Sequence, residues 1–367
     1  MIIRKEYFYF ILYMSMLLFC LFKPPFSYTS ENAVLAIITG GALFFLYLGE
    51  VKRFTYYLIV MLFVTYFLFQ FFLYSISASF TMISSSLGVL FLSNLLKMHR
   101  VKTVTFNKSV VFYTTIISVL LSCLFIYESH VGRYSTFNGD PNYTALVISV
   151  PLLLALNVAT TRFKKISCYI LLFLTAFFTS SRTLVIGLII FLFMFNRVGK
   201  KGNFAIFLFV FLFSIFSQYM VAYVLKDFMQ HFDLGQSYRL FNFDDNSNRI
   251  RIASYISAVD MIYKNFSYFI FNGARYYSDW NQYAENIPHN WFVQSVFGYG
   301  LLMTLGFCLL YIIGAYNINR VEPIFLPYIS YIVFFGGILS VYPFQIPLCL
   351  ILIFFALNIN EAASDEK

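Results

Sequence analysis

Two arginines, Arg249 and Arg251, lie at the start of a segment with helical periodicity. Apolar residues recur over 249–263 at the three- and four-residue spacing of one helix face, at Ile252, Tyr255, Val259 and Ile262. Asn248 is a suitable N-cap, which puts both arginines in the first turn, at the positive end of the helix dipole. A bound anion would relieve that repulsion. The alternatives are contact with lipid headgroups, or pairing with Asp244 and Asp245.

Three more side chains could take part in chemistry. His289 suits proton transfer, because an unperturbed imidazole titrates close to neutral pH, although its place before a long apolar stretch also suits a capping role. Arg182 lies at the edge of an apolar block, and an arginine at the centre of a membrane helix costs roughly 2.5–3.5 kcal/mol. It is therefore expected to be functional, or to reach the outer headgroups. Arg133 is expected to contact phosphate, glycan or lipid, and Asn142 to cap a helix.

These residues are set in a very apolar chain. Of its 367 residues, 60% are hydrophobic and only 11% are charged, whereas about a quarter of a soluble domain is charged. The composition excludes an ordinary soluble protein and indicates a membrane protein. The five cysteines have no metal-like spacing and are expected to pack as small apolar residues.

Apolar stretches of about 17–25 residues can cross a bilayer as helices. Twelve such spans are predicted, at 6–22, 32–48, 54–74, 80–96, 109–127, 142–159, 166–180, 183–195, 204–224, 291–316, 324–340 and 344–360. The block 166–195 is divided by a tight turn at Ser181–Arg182, since it is too long for one crossing; a single tilted helix is the alternative. We thus expect an all-α polytopic integral membrane protein with one membrane domain, 1–367, and a long outer loop, 225–290, that contains the amphipathic helix.

The basic residues predict the orientation. With both termini in the cytoplasm, the cytoplasmic segments hold 16 of the 25 lysines and arginines. Six of the others lie in the long loop, and Lys23, Arg133 and Arg182 lie in short outer segments. Merging the spans around Arg182 would put the basic cluster at 197–201 outside, which the positive-inside rule disfavours. The net charge of +9 is thus explained by topology, and no nucleic-acid partner is expected.

Four pieces of the sequence, in this order, resemble the O-antigen polymerase and ligase superfamily, whose polymerase members are called Wzy-type. They are Arg133 with Phe137-Asn138-Gly139-Asp140-Pro141-Asn142, then Thr179-Ser180-Ser181-Arg182, then Arg251-x-x-x-Tyr255, and finally Pro288-His289-Asn290 before Gly298-Tyr299-Gly300. They are similar to the family's Arg with Gly-x-Pro-Asn, its Ser-Arg turn, its Arg-x-x-x-Trp helix and its His-Asn motif. Tyr255 stands where Trp is usual, and the stretch 271–275 departs from the family's Gly-x-Gly.

The resemblance implies transfer of a sugar chain from undecaprenyl diphosphate to an acceptor hydroxyl, at the outer face of the bacterial inner membrane. It implies that His289 and Arg251 are catalytic, and that the substrate is bound by Arg133, Arg182, Arg249 and Asn290. Arginine suits this chemistry because its planar fork binds a diphosphate, and histidine suits deprotonation of a hydroxyl. No Asp-x-Asp motif is present, so no metal and no other cofactor is expected.

A polymerase of O-antigen or capsular polysaccharide is the favoured function, with a ligase as the alternative within the superfamily. A flippase for lipid-linked oligosaccharides is the alternative of another class. Transporters need polar or broken-helix sites near the bilayer midplane, often in repeated halves. The spans here carry almost no charge and show no repeat, which favours an enzyme. The expected partners are the lipid-linked oligosaccharide, the bilayer and, by resemblance, a chain-length regulator protein.

Overall fold

Helices dominate the part of the chain that the structure describes. The computed structural model describes residues 5–22, 106–130, 132–137, 140–197, 199–220, 246–271, 273, 289–321, 323–339, 350–351, 354 and 359–360. This confirms the predicted all-α class in its coarse sense. The predicted spans 32–48, 54–74 and 80–96, and most of 344–360, lie outside the described residues.

The helices and strands are numbered here in chain order. The helices are α1 (Lys5–Phe22), α2 (Lys108–Cys123), α3 (Pro141–Val158), α4 (Arg162–Thr179), α5 (Arg182–Arg197), α6 (Lys200–Tyr219), α7 (Asn246–Lys264), α8 (Phe266–Phe271), α9 (Trp291–Tyr299), α10 (Leu301–Val321) and α11 (Leu326–Ile338), with a 3₁₀ turn at Pro323–Phe325. The short strands are β1 (Phe106–Asn107), β2 (Tyr127–His130), β3 (Arg133–Ser135) and β4 (Ile359–Asn360). Strands β1 and β4 pair in parallel, and β2 and β3 pair antiparallel.

Internal contacts divide the chain into two compact units. The first unit comprises Met1–Asn32, Leu92–Leu188 and Ile346–Lys367, and the second comprises Ala33–Phe91 and Ile189–Gln345. The first unit therefore carries two of the predicted site residues, Arg133 and Arg182. The second carries the other four, Arg249, Arg251, His289 and Asn290.

Helix α3 forms the core of the first unit, since it is apolar on every side and almost all of its residues are buried. Asp140 caps its N-terminus, because Oδ1 accepts hydrogen bonds from the backbone N–H groups of Asn142 at 2.6 Å and Tyr143 at 3.3 Å. Pro141 follows at the first helical position, where no intrahelical hydrogen bond is lost. The expectation that Asn142 caps this helix is therefore wrong, and its side chain bonds elsewhere.

Helices α6 and α11 approach each other closely in the second unit. A Cβ atom on Gly337 would lie 2.5 Å from the Cα atom of Ser214, so only glycine fits there. On α6, the rings of Phe207 and Phe211 stack on Tyr311 of α10, with centroids 6.2 Å and 5.8 Å away. Helix α6 is thus packed against both α10 and α11.

Two helix breaks bear on the predicted spans. Helix α4 ends at Thr179 and α5 begins at Arg182, so the break predicted in 166–195 is confirmed and a single tilted helix is excluded. The single span predicted at 291–316 is wrong, because α9 ends at Tyr299 and α10 begins at Leu301. Between them Gly300 has φ +84°, a left-handed conformation that interrupts the helix. Hydropathy could not reveal this break, since the residues around it are apolar.

Two helices in the described ranges are long and apolar enough to cross a membrane, judged by length and composition. They are Pro141–Val158 and Lys201–Tyr219. Shorter apolar helices occur at Tyr13–Phe22, Lys108–Cys123, Arg182–Asn196, Thr304–Ile313 and Pro323–Ile338. The number of twelve spans stays a prediction.

The close approach of α6 and α11 predicts a strong effect of a single methyl group. Gly337→Ala should lower the stability by about 1–3 kcal/mol, because the new Cβ meets backbone atoms of Ser214 that cannot move aside. Gly306→Ala in α10 is the matched control, since a Cβ there meets nothing within 4 Å and should be neutral or stabilising. Thermal unfolding of the purified protein in detergent measures both. Equal melting temperatures for the two variants would contradict the close packing.

Candidate functional site

A β-hairpin positions Arg133 in the first unit. Strands β2 and β3 pair antiparallel, and Gly132 between them has φ +67°, which glycine adopts without strain. The backbone N–H of Gly132 donates to Oε1 of Glu128 at 2.6 Å, which closes the turn. Arg133 follows directly, and its side chain is only 5% exposed. The hairpin therefore places the side chain of Arg133 in the interior of the first unit.

The guanidinium of Arg133 bridges two helices. Its Nε donates to the backbone carbonyl of Thr179 at 3.1 Å, and its Nη2 donates to Oδ1 of Asn142 at 3.1 Å. Thr179 is the last residue of α4, and Asn142 lies in the first turn of α3. We call these three residues the Arg133 clamp. It joins the C-terminal end of α4 to the N-terminal end of α3 through buried hydrogen bonds, which are costly to leave unmade.

A strained turn separates the clamp from Arg182. Ser180 has φ +46° and ψ +40°, and it is the one non-glycine residue with positive φ among those the structure describes. Such a conformation costs of order 1–3 kcal/mol and persists only where the surroundings hold it. Oγ of the fully buried Ser181 accepts from the backbone N–H of Leu184 at 3.3 Å, as an N-cap does. Arg182 is the first residue of α5 and is half-buried.

In the second unit, Asn290 holds three helices together. The residue caps α9, since its Oδ1 accepts from the backbone N–H groups of Phe292 at 3.0 Å and Val293 at 3.1 Å. Its Nδ2 donates to three backbone carbonyls, those of Ser214 at 2.9 Å, Ile215 at 3.3 Å and Gly337 at 3.3 Å. We call this set the Asn290 junction. Because Asn290 is fully buried and every polar atom of its amide is bonded, its side chain joins α6, α9 and α11.

The junction and its neighbouring hydrogen bonds fix the backbone that follows His289. The carbonyl of His289 accepts from Nε2 of Gln218 at 3.5 Å, and the indole Nε1 of Trp291 donates to Oγ of Ser214 at 3.0 Å. Ser217 also donates to the carbonyl of Gly337 at 2.8 Å. His289 itself is half-buried. Its backbone position is therefore set by buried contacts on α6 and α9.

The helix predicted at 249–263 is confirmed as α7, Asn246–Lys264. It begins earlier than predicted, so Asn248 lies inside the helix rather than at its N-cap, and Arg251 lies beyond the first turn. The helix dipole acts within the first turn, so it does not disfavour Arg251. Of the predicted apolar face, Tyr255 is buried and the other three residues are half-buried. Arg251 is half-buried, while the side chain of Arg249, with Asp244 and Asp245, lies outside the described residues.

An apolar cluster joins α7 and α8 to α9. Its buried members are Tyr255, Ala258, Met261, Phe269, Val293, Val296 and Phe297. Arg251 lies one turn before Tyr255, and His289 lies one turn before Val293. Packing within this cluster therefore fixes the helix that carries Arg251 and the helix that follows His289.

The predicted site residues thus fall into two groups. The first unit joins Arg133 to the turn that precedes Arg182. The second unit carries Arg251 on α7, and His289 and Asn290 directly before α9, which packs against α7. Asn142, Thr179, Ser214 and Gly337, which bind these residues, were not predicted as partners. Asn142 and Thr179 belong to the sequence pieces that resemble the superfamily. Nothing in the sequence indicates that Ser214 or Gly337 is a partner.

Gln294 in α9 is a further residue that sequence reasoning missed. Its side chain is fully buried, and neither Oε1 nor Nε2 makes a hydrogen bond with any residue that the structure describes. A buried amide without partners is destabilising, by about 1–3 kcal/mol for each group left unsatisfied. Gln294 lies one turn after Asn290, so its unsatisfied amide destabilises the helix that follows His289.

Comparison with known proteins gives one match. Residues 168–308 match the family model described as O-antigen ligase, Wzy_C. The matched stretch contains Arg182, Arg251 and His289, but not Arg133. It confirms the resemblance to the O-antigen polymerase and ligase superfamily. No curated protein and no solved structure matches the chain.

Two buried glutamines among the described residues of the second unit, Gln294 and Gln218, predict opposite effects of the same substitution. Gln294→Met should raise the stability, by about 1 kcal/mol, because methionine keeps the length of the side chain and removes the unsatisfied amide. Gln218→Met should lower it, since the amide of Gln218 bonds to the carbonyl of His289. Melting temperatures in detergent decide. A lower melting temperature for Gln294→Met would contradict the first expectation and show that its amide is bonded in solution.

Proposed function

Taking the match to the O-antigen ligase family model as the premise, we propose that this chain is a polysaccharide polymerase of the bacterial inner membrane. It transfers a growing glycan from undecaprenyl diphosphate to a hydroxyl of another lipid-linked repeat unit. The single observation that carries the proposal is the matched stretch 168–308, since it includes an arginine at a helix start, Arg182, and the pair Arg251 and His289.

We place the chain in the bilayer as one membrane domain with twelve spans, both termini in the cytoplasm and the site on the outer face. Helix α4 supports this orientation. It begins at the basic cluster Arg162, Lys164 and Lys165 and runs for 18 residues, about 27 Å at 1.5 Å per residue, to the turn before Arg182. The positive-inside rule puts the basic end in the cytoplasm and the turn outside.

The exposed surface of α4 also supports a bilayer. Large apolar side chains point outward along it, among them Phe163 at 79% exposure and Phe173 at 69%. In water such a surface would be unfavourable and prone to association, whereas acyl chains accommodate it.

The proposed chemistry divides between arginines and a histidine. The acceptor hydroxyl attacks the anomeric carbon of the donor sugar, a glycosidic bond forms, and the bond from that carbon to the diphosphate oxygen breaks. His289 takes the hydroxyl proton, and undecaprenyl diphosphate leaves with the electron pair. Stabilisation of the charge that develops on the diphosphate is assigned to arginines: Arg182 in the first unit, and Arg251, with Arg249 nearby in the chain, in the second. This role needs no metal ion, since arginine stays charged and binds phosphate with a planar fork.

Asn290 takes a positioning role in this proposal, because its amide is bonded to backbone groups at every polar atom. A direct contact of Asn290 with the substrate stays a prediction, as does the chain-length regulator expected from the resemblance.

The ligase is the main alternative, because the matched model is itself described as a ligase and the superfamily includes both activities. A flippase is the alternative of another class. It would need polar groups on its spans, and the predicted spans carry almost no charge.

Deletion of the gene separates the three functions. Loss of a polymerase should leave single repeat units on the final acceptor, seen as one short band in gels of surface polysaccharide. Loss of a ligase should leave long polymer on the lipid carrier, and loss of a flippase should trap single units on the cytoplasmic side. Long polymer on the carrier would contradict the polymerase.

Substitution of the proposed catalytic groups tests the site. His289→Ala should reduce polymer formation roughly 10²–10⁴-fold through loss of the base, and Arg251→Gln roughly 10²–10³-fold through loss of charge stabilisation. Lys264→Gln is the control, because Lys264 is an exposed cation on the same helix as Arg251. Complementation of the deletion strain, with the amount of inserted protein measured by immunoblot, gives the readout. Wild-type polymer from the inserted His289 and Arg251 variants would refute the site.

A further inference from the structure

The turn between α4 and α5 is the one place where the described non-glycine backbone is strained, and it lies directly before Arg182. The local hydrogen bonds of Ser180 connect it to α4. Its backbone N–H and its Oγ both donate to the carbonyl of Phe177, at 3.2 Å and 3.3 Å. A strained turn at a helix start needs support from outside the helix. The Arg133 clamp supplies it at the adjacent residue, Thr179.

The clamp connects this turn to the most buried helix of the first unit. Asp140 fixes the start of α3, Asn142 projects its Oδ1 from the first turn of α3, and Arg133 carries the connection to the Thr179 carbonyl. A charged side chain keeps one orientation when packing and hydrogen bonds hold the segment that carries it. Binding of a diphosphate requires such a fixed orientation.

The geometry of the guanidinium also limits what Arg133 can bind. Nε and Nη2 form the side-on edge of the fork, the edge that grips a carboxylate or phosphate with two parallel bonds. In this structure both atoms of that edge donate to protein oxygens, and the side chain is 5% exposed. An Arg133 that bound phosphate through this edge would have to release Thr179 and Asn142.

We propose that Arg133 and Asn142 are positioning residues that hold the Ser180 turn and thereby present Arg182 to the diphosphate of the lipid carrier. This inference rests on the proposed function, in which Arg182 binds the diphosphate. It replaces a direct contact between Arg133 and the substrate with an effect transmitted through Thr179 and Ser180.

A double-mutant cycle on activity tests the transmission. Arg133→Gln and Arg182→Gln each lower the rate of polymer formation from lipid-linked repeat units, Arg133→Gln by about tenfold and Arg182→Gln by at least as much. If Arg133 acts through Arg182, the double variant is no slower than Arg182→Gln alone. The proposal would be overturned if the two losses of rate multiplied, so that the double variant was slower than Arg182→Gln by the full factor that Arg133→Gln shows alone. Arg133 would then act on the substrate independently of Arg182. Arg162→Gln, an exposed arginine at the other end of α4, is the control and leaves the rate unchanged.

Asn142 provides the variants that separate positioning from substrate binding. Asn142→Leu removes the acceptor of Arg133 and should lower the rate as Arg133→Gln does, whereas Asn142→Asp keeps an acceptor and should retain most of the rate. If Arg133 instead bound phosphate, release by Asn142→Leu would leave the rate unchanged or raise it. That result would overturn the proposal.

Thermal unfolding in detergent distinguishes a failed clamp from a failed function. Arg133→Gln and Asn142→Leu should each lower the melting temperature, and the double variant should lower it by less than the sum. Additive melting shifts would overturn the clamp. A further outcome is that the melting shifts are less than additive while Arg182→Gln has a wild-type rate. The clamp would then be supported, but the proposed role of Arg182 would be refuted, and the positioning proposal with it.

Discussion

Carbonyl groups at helix ends bind a buried polar side chain in each of the two units, Arg133 in the first and Asn290 in the second. The last four carbonyls of a helix have no intrahelical partner, and in apolar surroundings water does not supply one. Thr179 and Gly337 belong to the ends of α4 and α11, and their carbonyls bind Arg133 and Asn290. Each interaction satisfies a helix end and a buried side chain at once. The turn before Arg182 and the helix after His289 both depend on such a bond.

This dependence gives the polar residues of the chain two different tasks. Arg133 and Asn290 are buried and bonded to the backbone, and we assign them to positioning. Arg182 follows the turn that Arg133 supports, His289 precedes the helix that Asn290 caps, and Arg251 lies on α7. All three are half-buried, and we propose that they act on the substrate. In the proposed enzyme, buried hydrogen bonds therefore make the site rigid, and the half-buried residues bind the substrate and transfer the proton. A site that binds a diphosphate through arginines needs such support, since the protein must orient the charged groups.

Some of this arrangement could be predicted from the sequence. The length of the apolar block predicts a break, placed at Ser181–Arg182, and the structure has it at residues 180–181. The spacing of apolar residues predicts α7. The break at Gly300 was missed because apolar residues surround it, and the start of α7 was placed too late. The backbone partners of Arg133 and Asn290 could not be predicted, since Thr179 and Gly337 contribute backbone carbonyls, which every residue has. Periodicity indicates which residues are buried, not which of them meet.

Reconstitution is the most direct test that this chain joins sugars. The purified protein would be placed in lipid vesicles with lipid-linked repeat units, and mass spectrometry would follow both the glycans and the free carrier. We expect glycans of two or more repeat units, with one undecaprenyl diphosphate released for each new glycosidic bond. Repeat units that cross the bilayer unjoined, or that stay single with no carrier released, would contradict it.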